Sequence, residues 1–183
     1  MRRLAAVLAL AATPALATDL KVEVEGEGAN GTFIIHLRDD VAPNHAARLA
    51  ELARSGAYDG VVFHRVIDGF MAQTGDVQYG RLGQDLRYAG MGGSELPDLK
   101  AEFSDVPFER GVVGMARTQD PDSANSQFFI MFASAPHLNG QYTVVGEVTE
   151  GMEVVDAIKR GRGRNGAVIG RPDVMKKVTV IDE

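Results

Sequence analysis

Phe63-His64-Arg65-Val66-Ile67-Asp68-Gly69-Phe70-Met71-Ala72-Gln73-Thr74-Gly75-Asp76 is the stretch on which the reading of this chain turns. It reads as two short strands of apolar alternation, 61–67 and 70–74, broken by the turn-forming pair Asp68-Gly69. Alternate residues of a strand share a face, so Phe63, Arg65 and Ile67 are expected to point one way and His64, Val66 and Asp68 the other. An arginine beside Phe and Ile is costly to bury unless something pairs with it. Arg65 therefore either lies on an edge strand and reaches water or belongs to a site.

The same alternation recurs outward from this stretch. Leu20-Lys21-Val22-Glu23-Val24 and Gly31-Thr32-Phe33-Ile34-Ile35-His36-Leu37 read as strands, with Asn30-Gly31 as a hairpin signal between them. Pro43 opens a helix in which Ala46, Leu49, Ala50 and Ala53 form one apolar stripe, and Gly56 stops it. Further strands are expected at 111–117, 127–132, 142–148 and Met175 to Ile181. A second helix is expected from Gly151 to Lys159, with Met152, Val155 and Ile158 on one stripe. Residues 77–101 form a long polar, Gly-rich excursion, and loops of that length are usually functional or mobile. Arg160 to Gly166 is a basic turn. Seven or eight short strands with two helices and Gly-rich turns suggest a mainly β, closed antiparallel barrel. No internal repeat and no second domain is visible.

The N-terminus reads as a processing segment. Arg2-Arg3 precedes the unbroken apolar run Leu4 to Ala12, and Ala15-Leu16-Ala17 matches a small-x-small cleavage pattern. The run is too short to span a bilayer, which needs about 20 residues. Residues 1–17 are thus expected to be a signal peptide and 18–183 the working domain, exported to the periplasm; a permanent N-terminal anchor is the alternative. The general secretory route fits the segment better than a twin-arginine signal.

The 183 residues suffice for one domain with a sizeable core. Removing Arg2 and Arg3 with the leader leaves 17 basic against 25 acidic residues, a formal charge of −8. That surface argues against nucleic acid or an anionic membrane as the main partner. Cysteine is absent, which excludes disulfides, thiol catalysis and Cys-based zinc sites. His36, His45, His64 and His137 have no metal-ligand spacing, so neither a metal nor another cofactor is expected. There is no G-x-S-x-G nucleophile elbow, and Gly90-Met91-Gly92-Gly93-Ser94 lacks the lysine of a phosphate-binding loop.

FHRVIDGFMAQTGD (63–76), GVVGMAR (111–117), NSQFFI (125–130), LNGQYTVVGEV (138–148) and GMEVVDAI (151–158) occur in one order across nearly all of the chain from about residue 30 onward. In these motifs the chain resembles the cyclophilin-type peptidyl-prolyl cis–trans isomerases. The resemblance implies an eight-stranded closed barrel capped by two α-helices, acting as a monomer on Pro-containing segments of unfolded or folding proteins. It implies that Arg65 is the catalytic arginine and that Gln73 binds substrate carbonyl and orients it. Phe70, Met71, Phe129 and Leu138 match the family's proline pocket. Ala116 and Arg117 match a strand edge that holds the peptide, and Gln127, His137 and Tyr142 match further groove positions. Phe128, by contrast, reads as core.

Three residues depart from the eukaryotic pattern. Arg117 replaces asparagine, His137 stands where many members have a tryptophan important for cyclosporin binding, and Tyr142 stands where those members have histidine. The second departure puts drug sensitivity in doubt. Against the enzyme reading stand a non-catalytic chaperone or binding module using the same groove, and a barrel scaffold that engages partners through loop 77–101.

Overall fold

The computed structural model describes residues 18–182, so the expected leader, residues 1–17, lies outside the described residues. Nine strands form one antiparallel sheet: β1 Thr18–Glu25, β2 Gly31–Leu37, β3 Val61–Val62, β4 Arg65–Ile67, β5 Met71–Thr74, β6 Val112–Met115, β7 Phe128–Met131, β8 Val144–Glu150 and β9 Val174–Asp182. Their order across the sheet is β3-β9-β1-β2-β8-β6-β7-β5-β4. The helices are α1, Pro43–Arg54, and α2, Met152–Asp156.

The expected closed eight-stranded barrel is replaced by a curled nine-stranded sheet, a half-barrel whose two edges are β3 and β4. The reason lies in the run expected as one strand, 61–67. At Phe63 and His64 the backbone leaves the ladder: Phe63 N–H donates to Asp173 O, and His64 O accepts from Val168 N–H. Val66 N–H then donates to Gly166 O. The chain between the two edge strands is bonded to the 166–173 segment instead of carrying the ladder across.

This break also overturns the expected sharing of faces. Phe63 packs in the main core with Val61 and Val66, whereas Ile67 packs against a second, smaller cluster with Phe70. Phe63 and Arg65 are separated by the irregular step, so the period-2 rule carries only from Arg65 to Ile67.

Elsewhere the local rules suffice. Pro43 stands in the first turn of α1, where its missing N–H costs nothing, and Ala46, Leu49, Ala50 and Ala53 are all buried. The turn between β1 and β2 is longer than the Asn30-Gly31 step suggests. Asn30 closes a five-residue link by exchanging hydrogen bonds with the Gly26 backbone. α2 covers only Met152–Asp156, yet Val155 and Ile158 are buried as their stripe requires.

Loop 77–101 is organised around one buried carboxylate. Asp76 Oδ1 accepts from Gln78 and Tyr79 N–H at 3.0 and 2.9 Å, and Oδ2 from Gly90 and Gly92 N–H at 2.7 and 3.0 Å. A carboxylate cannot stay buried without such donors, and here the loop supplies all four. No helix among the described residues is long and apolar enough to cross a membrane.

Candidate active site

Strand pairing brings distant residues into one row. Arg65 on β4 pairs with Gln73 on β5, Gln73 with Phe129 on β7, and Phe129 with Gly114 on β6. Directly opposed residues share a sheet face, so guanidinium, amide and ring stand side by side. Gly114 leaves the gap that the Phe129 ring fills: a Cβ there would lie 2.5 Å from Phe129 Cζ and 2.6 Å from Phe108 Cε1. The next row on this face carries Ile67, Met71 and Met131. The alternate rows, Val66-Ala72-Ile130-Val113 and Thr74-Phe128-Met115, face inward, and their apolar members belong to the main core.

A groove of about 300 Å³ opens along the outer row. Arg65, Phe70, Met71, Gln73, Ala116, Arg117, Phe129, His137, Leu138 and Tyr142 line it. The remaining expected site residue, Gln127, lines an adjoining hollow of about 120 Å³ together with Gln73, Ala116 and Arg117. All eleven residues singled out from the sequence therefore meet along one surface.

The apolar end is built by stacked rings. Phe129 lies 5.8 Å from Phe108 in a stacked pair and 5.8 Å edge-on from Tyr142. Phe70 stacks on His137 at 5.7 Å. Such pairs favour fixed ring orientations over loose contact. Arg117 lies 4.4 Å over the Tyr142 ring and donates from Nε and Nη2 to Gln141 O. Its charge is thus spent on bracing the groove wall.

At the polar end Arg65 is half-buried, and burial holds its guanidinium below the usual value. Nη1 donates to Gln73 Oε1 at 3.0 Å and Nε to Asn165 O at 2.8 Å. Gln73 Nε2 donates to Gln127 Oε1 at 3.0 Å, and Gln127 Nε2 donates to the carbonyls of Gly90 and Gly92 at 3.0 and 2.8 Å. Sequence reasoning missed Asn165, Asp76 and the two glycines. They act here through backbone carbonyls or a loop-organising carboxylate, and only the Asp76 carboxylate beside a Gly-rich loop carried a readable signal.

His64, expected to face away from Arg65, has both ring nitrogens buried without hydrogen-bond partners. Burial lowers its imidazole to about 4, opposed by the Asp76 carboxylate. The unfolded chain binds this proton near pH 6.5 and the folded one only near 4, so stability falls as pH drops through that window. The loss amounts to at most about 3 kcal/mol. Urea midpoints measured from pH 7 to pH 4.5 should therefore fall less steeply for His64→Leu than for the parent; parallel curves would remove His64 as the cause.

Among the described residues no group of three or more His, Asp or Glu side chains is placed to hold a metal. Fixed donors beside an apolar, ring-lined hollow suit a reaction that binds a compact apolar ring and stabilises a polar change next to it.

The comparisons with known proteins agree with this geometry. Residues 20–180 match the family model described as cyclophilin type peptidyl-prolyl cis-trans isomerase/CLD. A probable peptidyl-prolyl cis-trans isomerase of Brucella suis biovar 1 is 56% identical over 153 residues, covering 82% of this chain and 78% of that protein. The crystal structure of cyclophilin AquaCyp293 from Hirschia baltica superposes with a TM-score of 0.71 at 26% identity, covering 91% of this chain and 74% of that one. A Cryptosporidium parvum cyclophilin-type isomerase determined in the presence of the dipeptide Ala-Pro has the same fold, with a TM-score of 0.74 at 22% identity over 90% of this chain and 99% of that one. By its motifs, its folded sheet and a family match that spans almost all the described residues, the chain belongs to the cyclophilin-type peptidyl-prolyl cis–trans isomerases.

Proposed function

We propose that this groove catalyses rotation about X-Pro bonds in extended or folding chains, with Arg65 stabilising the twisted amide and Phe70, Met71, Phe129 and Leu138 holding the proline ring. The observation that carries the reading is the row in which a half-buried guanidinium, a glutamine and an aromatic ring adjoin across three paired strands. Rotation about a peptide bond faces a barrier of about 18–20 kcal/mol, because the nitrogen lone pair is delocalised into the carbonyl. No bond has to break. A catalyst needs only to favour the twisted state over both planar ones.

In the twisted state the prolyl nitrogen regains its lone pair and can accept a hydrogen bond. Two of the five N–H groups of Arg65 are engaged by Gln73 and Asn165, which fix the plane of the fork and leave the other three to donate. The rings and methionine beside it restrain the proline while the preceding residue turns. Pro-containing segments are the substrates this shape suits, and the Ala-Pro dipeptide used with the structural relative is of that kind. Exchange measured by NMR on an Ala-Pro peptide, with and without the protein, tests the function. Binding without acceleration would favour a holding role instead.

The groove wall also bears on cyclosporin. His137 is exposed and presents one face to Phe70, leaving a smaller and more polar surface than the indole of related proteins. His137→Trp adds an indole N–H and apolar area, and a gain of about 1.4 kcal/mol corresponds to tenfold tighter binding. Cyclosporin should therefore inhibit His137→Trp at least tenfold more tightly than the parent. Equal inhibition constants in a titration of the two would place residue 137 outside the drug's footprint.

A further inference from the structure

Between loop 77–101 and Arg65 run two side-chain amides whose polarity is dictated from both ends. At one end stand the carbonyl oxygens of Gly90 and Gly92, which can only accept; at the other stands a guanidinium, which can only donate. A chain of two amides between such ends has one fully satisfied arrangement. Gln127 must turn its NH2 to the carbonyls and its oxygen to Gln73, and Gln73 must turn its oxygen to Arg65. Reversing either amide sets oxygen against oxygen or N–H against N–H.

The loop end of this chain is itself held rigidly. Asp76 grips the N–H groups of Gly90 and Gly92 while Gln127 grips their carbonyls, so the Gly90–Gly92 segment is bonded on both sides. Gly92 has no room for a side chain, since a Cβ would lie 2.6 Å from Asp76 Oδ1 and 2.7 Å from Gln78 Cβ. Both N–H groups of the Gln127 amide are taken by the loop, leaving it no donor for a peptide carbonyl.

We propose that Gln127, locked by the Gly90–Gly92 segment, is a positioning residue that aims Arg65 through Gln73, and that it does not bind the peptide itself. Its kinetic consequences rest on the isomerase reading above. A peptide-binding residue would set KM; one that orients the guanidinium only for the twisted state sets kcat. Loop 77–101 then belongs to the catalytic apparatus through the backbone carbonyls of Gly90 and Gly92.

The test uses Gln127→Glu, which faces two carbonyl oxygens with a carboxylate, together with Gln127→Ala, Gln73→Ala and the double variant of the two alanines. Gln127→Glu should lower kcat on an X-Pro peptide at least tenfold with KM within twofold of the parent. The double alanine variant should fall within twofold of Gln73→Ala alone, because both substitutions cut one chain. In 15N spectra the Arg65 Nε–H should shift and exchange faster with water in Gln127→Glu, while the backbone amides away from the groove stay in place. A raised KM at unchanged kcat, or effects that multiply in the double variant, would overturn the proposal. So would an Arg65 Nε–H signal indifferent to residue 127. If the parent protein shows no isomerisation at all, the functional reading fails, and the Nε–H signal still decides whether Gln127 orients Arg65.

Discussion

Arg65→Ala is expected to cut isomerase turnover at least 100-fold while leaving the fold intact. Both arginines line the groove, but Arg65 stands in the row with Gln73 and Phe129, whereas Arg117 is held over the Tyr142 ring and donates to Gln141 O and Thr118 O. A hundredfold loss is about 2.7 kcal/mol of transition-state stabilisation, the scale of removing one preorganised donor from a water-poor site. The fold should survive because the Arg65 side chain is only half-buried and the β4–β5 ladder is made by backbone groups. Arg65→Lys should recover little, because an ammonium cannot bond Asn165 O and Gln73 Oε1 in one plane and still offer a fixed donor to the peptide. Near-parental turnover in a folded Arg65→Ala protein would defeat the mechanism.

Two adjacent phenylalanines should fail in opposite ways. Phe128 points into the main core, where it meets Tyr58 edge-on at 5.6 Å, and Phe129 points into the groove between Phe108 and Tyr142. Removing a buried Phe ring typically costs about 3–5 kcal/mol, through lost transfer energy and the cavity left behind. Phe128→Ala should therefore lower stability by about that amount, while the molecules that remain folded keep nearly parental kcat/KM. Phe129→Ala removes the ring opposite Gly114 that lines the apolar end of the groove, and on the proposed mechanism should lower kcat/KM at least 100-fold even at temperatures where the protein is folded. Denaturation curves and peptide kinetics on both variants separate the two. Equal losses of activity per folded molecule would mean that the two faces of β7 are not divided between core and site.

Much of the local structure was legible in the chain. The α1 stripe, the strands and the turn at Asp68-Gly69 follow from periodicity and backbone preference, which act over a few residues. The site was less legible. Alternation alone left Arg65 between an edge strand and a site, and only the resemblance of the motifs singled out Gln73, Phe70, Met71 and the residues beyond position 110. Even then the hydrogen bonds of Gln127 to Gln73 and to the Gly90 and Gly92 carbonyls were out of reach, because nothing in a sequence shows which way an amide turns.

What the sequence determined by itself was which residues could be strand or helix and which short segments carried unusual side chains. Register and closure were decided by the tertiary structure. Pairing between β5 and β7, and between β7 and β6, joins segments far apart in the chain, and it alone aligns Arg65, Gln73, Phe129 and Gly114. The break at Phe63-His64 that keeps the sheet a half-barrel was decided in the same way, by hydrogen bonds to residues 166–173. A strand's own pattern specifies two faces, whereas its partner, its offset and its irregular steps depend on which distant backbone groups must be satisfied when the core closes.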